Sequence, residues 1–206
     1  MSEHTSLTWA HTETTRAPRN EEMAFLIQRC LSGEEVAYVI LYERHASLVY
    51  RLAYSLLQQR EDAEEVLQDS FEYAFRKLAD YDDQKSAFTT WLYRITVSRC
   101  RNKRRRKWLP TSPISLLAPG GVKDENAPAP DQVLEQSDLE RDVWAALGKL
   151  SPKLREAVVL RYYYALQYRE IGEILGISPK TAESRMRLAH EKLREIIPGE
   201  HQENGA

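Results

Sequence analysis

The sequence predicts an all-α protein built as two small helical domains. Apolar residues recur at three- and four-residue steps through most of the chain. Helix formers dominate, with only 8 Gly and 9 Pro among 206 residues. Residues 168–187 read as a helix, a tight turn and a second helix. A chain of this length has room for one large or two small domains, and 42% hydrophobic content is enough to build their cores.

Residues 1–20, rich in Thr, Ser, His and charges, read as a disordered tail. A short amphipathic helix follows from Glu21 to Ser32, carrying Met23, Phe25, Leu26, Ile27 and Leu31, and Gly33 breaks it. From Glu34 to Gln59 a long helix repeats Ala37, Ile40, Leu41, Leu48, Leu52, Ala53 and Leu56. The next, Asp62 to Asp80, buries Ala63, Val66, Leu67, Phe71, Ala74, Phe75 and Leu78 and leaves its carboxylates outside. A polar loop, 80–88, leads into a fourth helix from about Thr89 that ends in a basic block, completing a first domain over 21–108.

Across 109–132 the pattern collapses. Pro110, Pro113, Pro119, Pro128 and Pro130, with Gly120 and Gly121, exclude a continuous helix or strand, and the stretch is too long for an ordinary loop, so it reads as a linker. A second domain spans 133–197, and 198–206 form a tail. It opens on a helix reaching Lys149, and Ser151 and Pro152 start the next, which carries Leu154, Ala157, Val158, Leu160 and Tyr164.

The end of that domain is the most informative part. Ile171, Ile174 and Leu175 bury one side of a short helix, Gly176 turns the chain and Ile177 closes the corner. Ser178 is a natural N-cap and Pro179 sits at the first helical position, where a missing N–H costs nothing. Ala182, Met186, Ala189 and Leu193 form the apolar seam of the second helix, which leaves Thr181, Ser184, Arg185 and Arg187 outside it. A helix-turn-helix of this kind offers its second helix to a DNA major groove.

The net charge of −2 averages over two segregated blocks. Glu61, Asp62, Glu64, Glu65, Asp69 and Glu72 have no base among them; Arg99, Arg101, Lys103, Arg104, Arg105, Arg106 and Lys107 have no acid. The acidic block suggests a protein partner of opposite charge, against the simpler reading of a solvated face. The fourth helix places Phe88, Thr89, Thr90 and Trp91 at its start and cations at its end, a combination that holds single strands by stacking bases and following phosphates. Phe88, Trp91, Leu92 and Ile95 also fit as plain core, and for Trp91 the two readings balance. No catalytic constellation, phosphate loop or metal-ligand spacing is visible, so neither cofactor nor metal is expected. Cys30 and Cys100 read as reduced, buried thiols, and the absence of a signal pattern or membrane-length apolar run points to the cytoplasm.

On these residues the sequence resembles the extracytoplasmic-function sigma factors of bacterial RNA polymerase. The stretch Asp62-Ala-Glu-Glu-Val-Leu-Gln-Asp-Ser-Phe71 resembles the family's polymerase-binding helix, and Phe88-Thr-Thr-Trp-Leu-Tyr-Arg-Ile95 its promoter-melting helix. Leu150-Ser-Pro-Lys-Leu-Arg-Glu156 and Thr181-Ala-Glu-Ser-Arg185 resemble the domain that reads the −35 element. The likeness covers roughly residues 21 to 197, with departures at Ser98, Cys100, Glu183 and Leu188.

The resemblance implies a non-catalytic specificity subunit that binds core polymerase at its clamp and melts the −10 element. The implied polymerase-binding residues are Asp62, Glu65, Gln68 and Asp69; the last three share a helix face at i, i+3 and i+4. For −10 DNA they are Phe88, Thr89, Thr90, Trp91, Arg94, Arg99, Arg101, Asn102, Arg104 and Arg105, with the loop from Asp80 to Ser86 capturing a flipped base. For −35 DNA they are Lys180, Thr181, Glu183, Ser184, Arg185 and Arg187. An anti-sigma partner is implied in the same way. The rival reading is a free-standing helix-turn-helix regulator whose first domain senses a ligand or dimerises, and binding to core polymerase separates the two.

Overall fold

The computed structural model describes residues 17–108 and 138–196, and every regular element among them is helical. Helix α1, Ala17–Leu31, starts inside the expected tail, because a proline such as Pro18 is tolerated in a first turn that has no bond to lose. Gly33, with φ 86°, reverses the chain into α2, Glu35–Leu57, and Arg29 clamps Glu34 across the corner with Nε donating at 2.7 Å. Gln58 ends α2 in the left-handed region (φ 55°), its N–H returning to the Tyr54 carbonyl at 2.7 Å.

The single helix expected from Asp62 to Asp80 is two pieces, α3 at Arg60–Arg76 and a 3-10 turn at Leu78–Asp80. The Lys77 N–H is shared between the Tyr73 and Ala74 carbonyls at 3.0 and 3.2 Å, which tightens the helix end into that turn. Helix α4, Phe88–Trp108, runs unbroken into the basic block. Residues 1–16, the linker expected at 109–132, residues 133–137 and 197–206 lie outside the described residues. The second domain comprises α5 (Asp138–Lys149), α6 (Pro152–Tyr162), α7 (Tyr168–Leu175) and α8 (Pro179–Ile196).

Two apolar clusters organise these helices. One lies within the first domain, where Leu26 and Ile27 of α1 meet Leu41, Phe71, Leu78, Phe88 and Leu92. The other runs from the first domain into the second: Leu52 and Leu56 of α2, Val66 of α3 and Val97 and Cys100 of α4 join Leu160, Ile171 and Met186. Burial pushes the Cys100 thiol up to about 12. Arg155 stitches the same seam. Its guanidinium caps the end of α5 at the carbonyls of Leu147 (2.8 Å) and Gly148 (2.7 Å) and reaches the Leu56 carbonyl of α2 at 3.0 Å. The sequence suggested two modules on a tether; in this structure they share one core.

Candidate polymerase and nucleic-acid surfaces

The start of α4 is closed by aromatic packing. Phe88 is 3% exposed and Trp91 9%, with ring centroids 5.6 Å apart, and Tyr81 lies 5.4 Å from each. The buried His45 meets Phe88 edge-on at 5.2 Å, and burial lowers its pKa. His45 Nδ1 lies 3.0 Å from the Leu41 carbonyl, so that nitrogen carries the proton. Thr90 is buried as well, while Thr89 is half-buried and Arg94 exposed. Of the two readings open at Trp91, the packing observed is that of a core residue, and Phe88 beside it is buried as well. The adjoining loop is tied down: Asp82 takes the Gln84 N–H at 3.0 Å and Lys85 at 2.8 Å, and the Tyr81 hydroxyl donates to the Ser86 carbonyl at 3.0 Å.

The acidic and basic blocks meet at one point, where Asp62 and Glu65 of α3 pair with Lys103 and Lys107 of α4. Asp62, expected on the outside of its helix, is 8% exposed and pairs with Lys103 (3.5 Å) and with Lys107. Lys103 also pairs with Glu65. The correction for Asp62 has a simple cause: α4 packs along α3, so part of the charged face becomes an interhelical face. Gln68 is exposed and Asp69 half-buried, and among the described residues Asp69 forms no ion pair. Arg99 lies over the Tyr73 ring at 4.2 Å.

Arg101 and Arg104 turn toward the second domain. Both hold Glu156 of α6, a carboxylate only 1% exposed, at 2.7 Å from Arg101 Nη2 and 2.5 Å from Arg104 Nη2. Arg101 Nη1 also donates to the Leu175 carbonyl at 3.3 Å. Asn102 is half-buried, whereas Arg105 and Arg106 stay exposed. The sequence offers little sign of this role for Glu156, the single acid of an α6 that also carries Lys153, Arg155 and Arg161.

The helix-turn-helix has the expected local chemistry. The Gln167 N–H is held by the Glu170 side chain at 2.9 Å, Gly176 turns the chain at φ 69°, and Ser178 Oγ accepts the Thr181 N–H at 3.1 Å. Ala182, Met186 and Ala189 face inward. Lys180, Thr181, Glu183, Ser184 and Arg187 are exposed, and Arg185 is half-buried with one Nη lacking a partner. Arg187 pairs forward with Glu191 at 2.8 Å, which leaves Glu183 without an ion pair among the described residues. Among the described residues no group of side chains could hold a metal ion, and no helix is long and apolar enough to cross a membrane.

The Sigma-70 region 2 family matches residues 41–109, and the Sigma-70, region 4 family matches 140–193. The RNA polymerase sigma factor CnrH of Cupriavidus metallidurans is 30% identical over 84% of this chain and 92% of its own length. The ECF RNA polymerase sigma factor SigE of Mycolicibacterium smegmatis is 36% identical over 76% of this chain, which spans 60% of that longer protein. SigW of Bacillus subtilis is 28% identical over 83% of this chain and 94% of its own. The solved structure of CnrH with the cytosolic domain of CnrY superposes with a TM-score of 0.59 at 25% identity, covering 84% of this chain and 94% of CnrH. The chain belongs to the ECF sigma factors of bacterial RNA polymerase, which direct transcription initiation at promoters.

Proposed function

We propose that residues 21–108 dock on the polymerase clamp and open the −10 element, while residues 133–197 read the −35 duplex across a linker at 109–132. The observation that carries this is the order of the two family matches over the residues in question. Region 2 covers the acidic face of α3 and the basic helix α4, and region 4 covers the helix-turn-helix. Gln68 and Asp69, with Glu65 once released from Lys103, form the docking face; Asp62 supports it from the α3–α4 groove. Thr89, Arg94 and the exposed Arg105 line the outer side of α4 for the opened strand, with Arg99, Arg101, Asn102 and Arg104 further along the helix. Thr90, Phe88 and Trp91 shape that surface from within.

Lys180, Thr181 and Arg185 meet −35 phosphates, and Glu183, Ser184 and Arg187 point to base edges. The subunit works without catalysis or cofactor, in the cytoplasm. It is held in check by a protein antagonist, a reading favoured by the structure of the relative CnrH with CnrY.

Transcription with core polymerase from a randomised promoter library tests the assignment. A selected −35/−10 pair with permanganate-reactive thymines at −10 is expected. Core binding without strand opening would sink the melting assignment, and no core binding would sink the docking assignment.

A further inference from the structure

We propose that the polymerase-docking face continues from α3 onto α4, with Arg99 as its cation, so that the clamp meets it there with a carboxylate. The proposal rests on the docking reading above and refines it at one residue, since the sequence groups Arg99 with the cations that follow the opened strand.

Helix periodicity divides the basic helix into separate faces. At about 100° per residue, Ser98, Arg101 and Arg105 stay within about 40° of Arg94 around the axis. Arg94, Ser98 and Arg105 are exposed, and they mark the open side of α4. Arg99 points about 140° away from Arg94, and Lys103 about 180°. The contacts agree with these angles. Lys103 pairs with Glu65 of α3, and the Arg99 guanidinium lies over the Tyr73 ring of α3 at 4.2 Å. A strand lying along Arg94, Ser98 and Arg105 would have to cross the helix to reach Arg99.

On α3 the bordering edge is continuous. Glu65, Asp69, Tyr73 and Arg76 follow one another at i, i+4, i+8 and i+11 and share one face. Arg76 also lies against the Tyr73 ring, at 5.7 Å, so the ring carries guanidinium groups from two helices. Arg76 has its own carboxylate, Glu72, at 3.3 Å. Arg99 has no anionic partner among the described residues, and its buried Nε makes no hydrogen bond. A half-buried arginine held over a ring and left without a carboxylate is a fork prepared for one.

The neighbouring charges select the partner. Glu65, Asp69 and Glu72 stand on the outer face of α3, so a phosphate chain approaching Arg99 from that side meets like charge. A protein surface with a base opposite Asp69 and an acid opposite Arg99 satisfies both. The patch is continuous with the docking residues Glu65 and Asp69, which makes core polymerase its occupant.

The test uses the full chain with Arg99→Met, which keeps an apolar contact with Tyr73 and removes the charge. Anisotropy of the labelled protein titrated with core polymerase reads docking, and anisotropy of a fluorescein-labelled oligo(dT) reads strand binding. Arg99→Met is expected to weaken core binding about tenfold, as loss of an interfacial charge contact does, with oligo(dT) affinity and its salt slope unchanged. Arg105→Ala, on the open side of α4, is expected to reduce the oligo(dT) log–log slope by about 0.7, the share of one phosphate contact. Intact core binding by Arg99→Met would overturn the proposal, and so would a loss of oligo(dT) slope matching that of Arg105→Ala. If circular dichroism shows Arg99→Met partly unfolded, Tyr73→Leu decides. It removes the platform without removing a charge, and it must weaken core binding while sparing oligo(dT). Asp69→Arg separates the two ways to fail: normal core binding by that variant sinks the docking reading itself, whereas a loss there beside intact binding by Arg99→Met sinks only the extension onto α4.

Discussion

The carbonyl oxygen of Ile177 lies 2.7 Å from where a β-carbon on Gly172 would stand. Both residues belong to the helix-turn-helix, and the Ile177 N–H returns to the Gly172 carbonyl at 3.0 Å, so the turn folds tightly onto α7 at this point. Only glycine leaves room for that carbonyl, because the clash is with backbone and not with a movable side chain.

Replacing this glycine is the first prediction. Gly172→Ala should destabilise the second domain by about 1–3 kcal/mol, the usual cost of forcing extra volume into a packed site, despite alanine's better helix propensity. Thermal unfolding followed by circular dichroism checks it. A variant as stable as wild type would mean that the turn relaxes freely.

Two aspartates on α3 should behave differently. Asp69→Arg should weaken assembly with core polymerase by about one to a few kcal/mol, as for other interfacial charges, without lowering helicity. Asp62→Ala removes a carboxylate that is itself buried between α3 and α4, with its pairing to Lys103 and Lys107, and should lower the melting temperature before it affects docking. Equal effects of both substitutions on binding and on stability would erase the distinction between a docking residue and a supporting one.

On α8, the Arg187–Glu191 pair is exposed and worth only about 0.3–0.5 kcal/mol, so DNA can recruit Arg187 at small cost. Arg187→Ala should relax preference at one −35 base pair by about 1–3 kcal/mol, and Glu183→Ala at a neighbouring pair by a similar amount. Selection of −35 sequences with each protein reads the effect. A loss spread uniformly over all positions would assign both residues to positioning alone.

His45 sets an acid limit on stability. Burial lowers its folded pKa below the ordinary value near 6.5, so the unfolded chain binds the proton more readily. Its contribution is complete above pH of about 6.5 and is lost as pH falls from there toward the folded pKa. Urea midpoints should drop more between pH 7.5 and 5.5 for wild type than for His45→Gln. Parallel curves would remove His45 as the titrating group.

Much of this architecture was legible in the sequence, for local reasons. Ser178, Pro179 and Gly176 announce a helix-turn-helix because capping and left-handed turns depend on residues within four positions of each other. The spacing of Ala182, Met186 and Ala189 likewise fixes an inward seam. What escaped was non-local. Asp62 looks solvent-facing on its own helix, and its partner Lys107 stands 45 residues away. Glu156, Gln58 and Tyr164 look like ordinary polar positions until two domains are brought together. Trp91 was balanced between core and base platform, since an aromatic at the start of an amphipathic helix fits both. Tyr81, delivered by the preceding loop, is what encloses it.

The pairing of acids with the cations of α4 has a consequence for how the protein meets salt. A cation that already holds a carboxylate of its own chain displaces few condensed ions when it reaches a phosphate. Five free cations would give single-strand binding a log–log salt slope of roughly −3.5. With Lys103 and Lys107 held by Asp62, and Arg101 and Arg104 by Glu156, the isolated subunit should show a much shallower dependence. Attraction of α4 to bulk chromosomal DNA should be correspondingly weak, which would leave more of the free protein available to polymerase and less of it spread along the genome as a counterion.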